Sequence, residues 1–147
     1  MIFIMGVGEM ALHNILNNIA TLASLEYQER YVIGGTADEY IVIDDLLEDY
    51  SSSVYWANHR SNRAKFREDH LVAINQYYDF LLQVWDNAVD ARSHAEVAPL
   101  MRDQPVWAEI RRRAADTLDK LGISIEHVAI EQLDEHEWDY PPTTDCK

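Results

Sequence analysis

The stretch from Arg63 to Arg92 constrains the fold more than any other part of this chain. On a helix of about 3.6 residues per turn, Phe66, Ala73, Ile74, Tyr77, Leu81, Val84, Trp85 and Ala88 fall on one side. Leu71, Tyr78, Leu82 and Val89 widen that side to about half the circumference. The opposite side carries Glu68, Asp69, Asn75, Gln76, Asp79, Gln83, Asp86, Asn87 and Asp90, with Val72 as its one apolar residue. No Gly or Pro interrupts the run. Roughly 30 helical residues would span about 45 Å, so a kink or an earlier end is expected. An apolar stripe this wide needs more than one covering neighbour, which predicts a helical bundle built around 63–92.

The rest of the chain supplies those neighbours. Glu9 to Arg30 reads as one helix, with Leu12, Ile15, Leu16, Ile19, Leu22 and Ala23 recurring at three and four residues and ending by Gly34-Gly35. Tyr31-Val32-Ile33 and Tyr40-Ile41-Val42-Ile43 favour a small β-hairpin near 30–44, or a loop. A helix then begins with acids that suit its dipole, Asp44-Asp45 onward, and runs to about Trp56. Ser51-Ser52-Ser53 reads as a minor breaker, Val54-Tyr55-Trp56 as packed, and Asn58 to Asn62 as a turn. Residues 96–102 suggest one short helical turn. Asp103 before Pro105 suggests a cap. Trp107, Ile110, Ala114, Leu118 and Leu121 then form a stripe that ends at Gly122. Residues 123–131 fit either helix or strand. The expectation is mostly α: one domain over 1–147, four to six helices, and flexible ends at 1–8 and 141–147.

With 147 residues and 48% apolar content, the chain can bury a sizeable core. A lone Cys146 leaves no internal disulfide, and a cytoplasmic location is the simplest reading. Chemistry-bearing motifs are missing: there is no CxxC, HExxH or GxSxG. The six histidines show no metal-ligand spacing. The expectation is therefore no catalytic residue, no metal and no cofactor. The alternative is an enzyme or small-ligand module whose site escapes motif reading, with a pocket near the polar edge of 63–92 that uses His70, Tyr77 or His94.

The charge is distributed unevenly. The total is −14. Residues 1–50 hold nine acids against Arg30, residues 51–120 balance ten acids with ten bases, and residues 121–147 hold seven acids against Lys147. Two acidic segments are thus the candidate recognition surface. The first contributes Asp38, Glu39, Tyr40, Asp44, Asp45, Glu48 and Asp49. The second contributes Glu131, Asp134, Glu135, Glu137, Trp138 and Asp139. Such a surface repels nucleic acid and membranes and attracts basic proteins. The basic cluster Arg60, Arg63, Lys65 and Arg67, and the run Arg111-Arg112-Arg113, read as charge partners for acids.

Small, acidic, mostly helical chains of this general character are similar to bacterial immunity proteins, which neutralise toxic nucleases. They are also similar to phage inhibitors that mimic nucleic acid. That likeness is one of composition. It implies a basic protein partner, foremost a nuclease-type toxin domain, or alternatively a host or phage defence factor. It leaves open the oligomeric state and whether the acidic segments share one face.

Overall fold

The computed structural model describes residues 7–35, 41–90 and 92–124. Within them the chain is helical, with six α-helices and no strand. Helix α1 spans Val7–Ala23 and α2 spans Leu25–Gln28, which continues as a π-helical turn over Glu29–Ile33. Helix α3 spans Ile43–Asn58, and a 3-10 turn at Arg63–Lys65 leads to α4, Glu68–Val89. The short α5, His94–Val97, runs into a 3-10 turn at Ala98–Met101, and α6 spans Pro105–Lys120.

Four helices form a ring: α1 packs on α3 and α6, and α4 packs on the same two from the opposite corner. That arrangement is the one the wide stripe of α4 requires, with one neighbour for each half. Phe66, Leu71, Ala73, Ile74, Tyr77, Leu81, Trp85 and Ala88 are all buried. The facing stripe of α1 is more completely enclosed, with Ile15, Leu16, Ile19, Ala20 and Leu22 fully buried. Leu12 is only half-buried. Leu82 stays exposed, as Val72 does.

Several boundaries differ from the sequence expectation. Helix α4 starts at Glu68 because Phe66 is extended and turned into the core, and Arg67 is the N-cap. It stops at Asp90, which adopts a left-handed conformation with φ 50°. The single helix expected over Glu9–Arg30 is broken at Ser24, whose hydroxyl accepts the Tyr27 N–H at 3.0 Å and starts α2. Buried Gln28 completes the break: its Nε2 donates to the carbonyls of Thr21 and Leu22, both at 3.0 Å. Those are among the orphan acceptors at the end of α1.

The hairpin expected near 30–44 does not form among the described residues. Tyr31-Val32-Ile33 is π-helical, closed by Gly34 N–H donating to Glu29 O at 2.9 Å. A Cβ on Gly34 would sit 2.9 Å from that same oxygen, so the closure requires glycine. Helix α3 runs straight through Ser51-Ser52-Ser53 instead of breaking there. Ser53 bonds back to Asp49 O at 2.9 Å, and Ser51 Oγ meets the Tyr78 hydroxyl at 2.7 Å. The polar side chains are thereby absorbed without disturbing the helix.

The expectation for α6 holds, except that Gln104, not Asp103, is the N-cap ahead of Pro105. Trp107, Ile110, Ala114, Leu118 and Leu121 are buried. Gly122 takes φ 77° and donates to Asp119 O at 3.0 Å, while Ile123 N–H reaches Leu118 O at 2.9 Å. These two bonds make a Schellman closure, and Ile123 is buried. No described helix is long and apolar enough to cross a membrane. The segment 125–131, the Asp38 region and both chain ends lie outside the described residues, apart from Val7 and Gly8, which already belong to α1.

Candidate functional site: the outer face of α3

Helix α3 has a sharply divided circumference. Ile43, Leu46, Tyr50, Ser53, Val54 and Ala57 face inward. Asp44, Asp45, Glu48, Asp49, Ser52, Tyr55, Trp56 and the capping His59 are all exposed. At about 100° per residue these eight positions fall within a sector of about 140°. They make one continuous stripe, acidic over its first half and aromatic over its second.

The inward face explains why the stripe points outward. Tyr50 is fully buried and donates its hydroxyl to Ile74 O on α4 at 2.8 Å. Asn58 exchanges amide bonds with Asn75 on α4, at 2.7 and 3.0 Å. On the other side Asn18 of α1 donates to Asp49 O at 3.0 Å and to Ser53 Oγ. Held from both flanks, α3 cannot rotate its acids inward.

The first half of the stripe brings together Asp44, Asp45, Glu48 and Asp49, four of the seven residues singled out in the first acidic segment. Asp44 and Asp45 lie in the first helical turn, where the dipole favours negative charge. Asp44 also accepts the Trp85 indole N–H at 3.3 Å, so it ties α3 to α4. Asp38, Glu39 and Tyr40 lie outside the described residues. So does the whole second segment, Glu131, Asp134, Glu135, Glu137, Trp138 and Asp139.

The second half of the stripe corrects the expectation that Tyr55 and Trp56 pack. Only Val54 does, at 6% exposure, while Tyr55 is 63% exposed and Trp56 49%. The two rings contact each other edge-on with centroids 5.1 Å apart, and His59 lies 5.5 Å from Trp56. Trp56 also borders a groove of about 580 Å³ between α1 and α3, with Asn14, Asn18, Asp49, Ser52 and Asn62 among its lining. Tyr55 borders a second groove, of about 410 Å³, toward Tyr78 of α4.

The other candidates make contacts within the bundle. His94 accepts the Ile43 N–H on Nδ1 at 3.2 Å and sits 3.1 Å from Val32 O through Nε2. It thus joins the π-turn to the start of α3. Glu96 closes a capping box with Ser93, so His94 and Glu96 do not converge. His70 is buried, and burial pulls its pKa down against the nearby Asp69, 4.0 Å away. The Tyr77 hydroxyl donates to Ile110 O at 2.9 Å.

Among the described residues the arginine run pairs within α6 and with its neighbours. Arg112 bonds Glu109 and Asp116. Arg113 bonds Glu109 and lies 4.3 Å over the Phe80 ring. Arg111 reaches Gln28 Oε1 and Met101 O. Arg112 and Arg113 hold the Glu109 carboxyl down at about 2. Of the early basic cluster, Arg67 pairs with Asp69, whereas Arg60, Arg63 and Lys65 are exposed and form no ion pair with a described acid. No group of three metal-ligating side chains occurs among the described residues.

No protein-family model matches the chain, no curated protein matches it, and no solved structure matches its fold.

Proposed function

We propose that the chain is a binding protein whose α3 stripe engages a basic protein, and that this partner is a nuclease-type bacterial toxin domain neutralised in the cytoplasm by an immunity protein. The observation that carries this reading is the alignment of four exposed carboxylates with two exposed aromatics on one helical face. Enzymes that cut nucleic acid present basic clefts, because phosphate contacts supply their affinity. Carboxylates steer the encounter with such a surface, and Tyr and Trp are enriched among residues that dominate interface energy. The acidic residues 131–139 add to the chain's negative charge, which favours a basic partner.

The nucleic-acid-mimic alternative uses the carboxylates in place of phosphates and leaves Tyr55 and Trp56 idle. Variants separate the two readings. Partners recovered at low and high salt should be retested against Asp45→Lys with Glu48→Lys, against reversals in 131–139, and against Trp56→Ala. An immunity protein should lose affinity by about tenfold or more in both the α3 reversal and Trp56→Ala. A mimic should lose it only in the reversals. Binding indifferent to salt and to every one of these changes would overturn the electrostatic reading.

A further inference from the structure

We infer that the groove between α1 and α3 is a guanidinium site, and that it receives an arginine side chain of the basic partner. The source of the arginine rests on the binding reading above, whereas the guanidinium chemistry stands on the groove alone. Asp49, Ser52, Ser53 and Trp56 line the groove from α3. Their spacing keeps them on one face for about 10 Å of helix. Ala11, Asn14 and Asn18 line it from α1, and Asn62 completes the described lining.

The asparagines are oriented to accept. Asn62 is only 1% exposed, and its Nδ2 donates to Trp56 O at 2.8 Å. A backbone carbonyl can only accept, so the amide nitrogen must face it and Oδ1 is the remaining arm. Asn18 is turned in the same way, with Nδ2 donating to Asp49 O at 3.0 Å and to Ser53 Oγ. Neither Oδ1 accepts a bond from a described residue and neither is sealed from solvent, so each is open to the groove its residue lines. An acceptor on a side chain as enclosed as Asn62 is costly to leave without a donor. Asn14 and Ser52 are exposed and add further acceptors.

The only charge among the described lining residues is the carboxylate of Asp49. Trp56, half exposed, adds an aromatic wall. An anion meets no described cation here and faces a chain of charge −14. A neutral polyol gains nothing from Asp49. An ammonium is a compact, strongly hydrated point charge with three donors. A guanidinium offers five donors in one plane, is more weakly hydrated, and stacks on indole. The groove holds about 580 Å³, which leaves room for the alkyl stem that carries the guanidinium. Asp49, Ser52 and Trp56 belong to the groove and to the α3 stripe alike, so an arginine at the edge of a partner docked on the stripe is within reach.

The test is NMR titration of the whole chain with three acetylated, amidated amino acids: arginine, lysine and citrulline, the last a neutral copy of arginine's shape. Arginine should shift the Trp56 indole and the Asn14, Asn18 and Asn62 side-chain amides together, saturating at millimolar concentration. Lysine should bind several-fold more weakly, and citrulline should leave these signals in place. Asn14→Lys sets a cation across the groove at an exposed α1 position outside the α3 stripe. It should weaken arginine binding by about fivefold or more with the unfolding midpoint unchanged, and weaken the recovered partner as well. Citrulline or lysine binding as well as arginine, or shifts spread evenly over the acidic surface, would overturn the guanidinium site. Arginine binding as stated, with a partner indifferent to Asn14→Lys, would overturn the assignment of the arginine to the partner. The proposed function fails separately: it is decided by the Asp45 and Glu48 reversals, which leave the described lining of the groove untouched.

Discussion

Alkaline stability should expose the two tyrosines that lace the bundle together. Tyr50 of α3 donates to Ile74 O at 2.8 Å, and Tyr77 of α4 donates to Ile110 O at 2.9 Å. Their rings meet edge-on with centroids 5.4 Å apart. Burial pushes the Tyr50 hydroxyl well above the ordinary 10.0, helped by Tyr77, and burial raises Tyr77 likewise. The folded state therefore keeps both protons while the unfolded state releases them near pH 10. Stability is intact below that pH. Above it, stability falls by about 1.4 kcal/mol per pH unit for each tyrosine until the raised folded pKa is reached. Tyr50→Phe removes one buried hydrogen bond and should cost about 1 kcal/mol at neutral pH. It also removes one of the two alkaline penalties. The wild-type and variant stabilities should therefore converge above pH 10 and cross about 0.7 of a unit higher, where the accumulated penalty equals the lost bond. Urea unfolding followed by circular dichroism, from neutral pH to about pH 11, reads both quantities. The chain's few lysines contribute little slope of their own. Parallel curves for the two proteins would refute the assignment of the shift to Tyr50.

Three further outcomes test the fold. Leu81 is fully buried on α4, so Leu81→Ala should destabilise by about 2–5 kcal/mol in the same urea assay. Ser24→Ala removes the cap of α2 and should cost about 1 kcal/mol, with faster amide exchange concentrated in residues 25–34. Glu109, held by Arg112 and Arg113, should titrate at about 2 by NMR. Because its folded pKa is depressed, its contribution is present above the ordinary 4.5 and is lost as pH falls toward 2. Removing Arg113 should move that titration upward.

The sequence revealed those parts of the fold in which local pattern and tertiary packing agree. In α6 the stripe, the proline entry and the glycine exit all point to one helix, and the structure closes it at Gly122 as expected. The break after α1 was hidden because Leu25 and Glu26 are ordinary helix residues. What enforces it is Gln28, buried between α1 and Arg111 of a helix 83 residues away in the chain. The Val32-Ile33 pair has strand propensity, yet Val32 O meets His94 and Gly34 closes a π-turn, so tertiary partners outweighed local preference. Ser51-Ser52-Ser53 looked like a breaker because serine competes with backbone bonding. In the fold, Ser51 and Ser53 bond to Tyr78 and to Asp49 O.

The candidate site was half-legible for a related reason. Asp44, Asp45, Glu48 and Asp49 stood out as charge, but Tyr55 and Trp56 were assigned to the core on residue type alone. The spacing held the missing signal. Once α3 is continued through the serines, the 44, 45, 48, 49 pattern extends by whole turns to 52, 55, 56 and 59, all exposed. The acids themselves are not equally informative about binding. Asp44 is anchored to Trp85, and the backbone carbonyl of Asp49 holds Asn18 and Ser53, so changes at either position perturb the α3 packing as well as the surface. Asp45 and Glu48 are exposed and face the same sector without a described side-chain contact. Reversing those two therefore alters the field in front of Tyr55 and Trp56 while leaving the bundle intact. A loss of partner affinity at Asp45 and Glu48, with the unfolding midpoint unchanged, would be a property of the face and not of the fold beneath it.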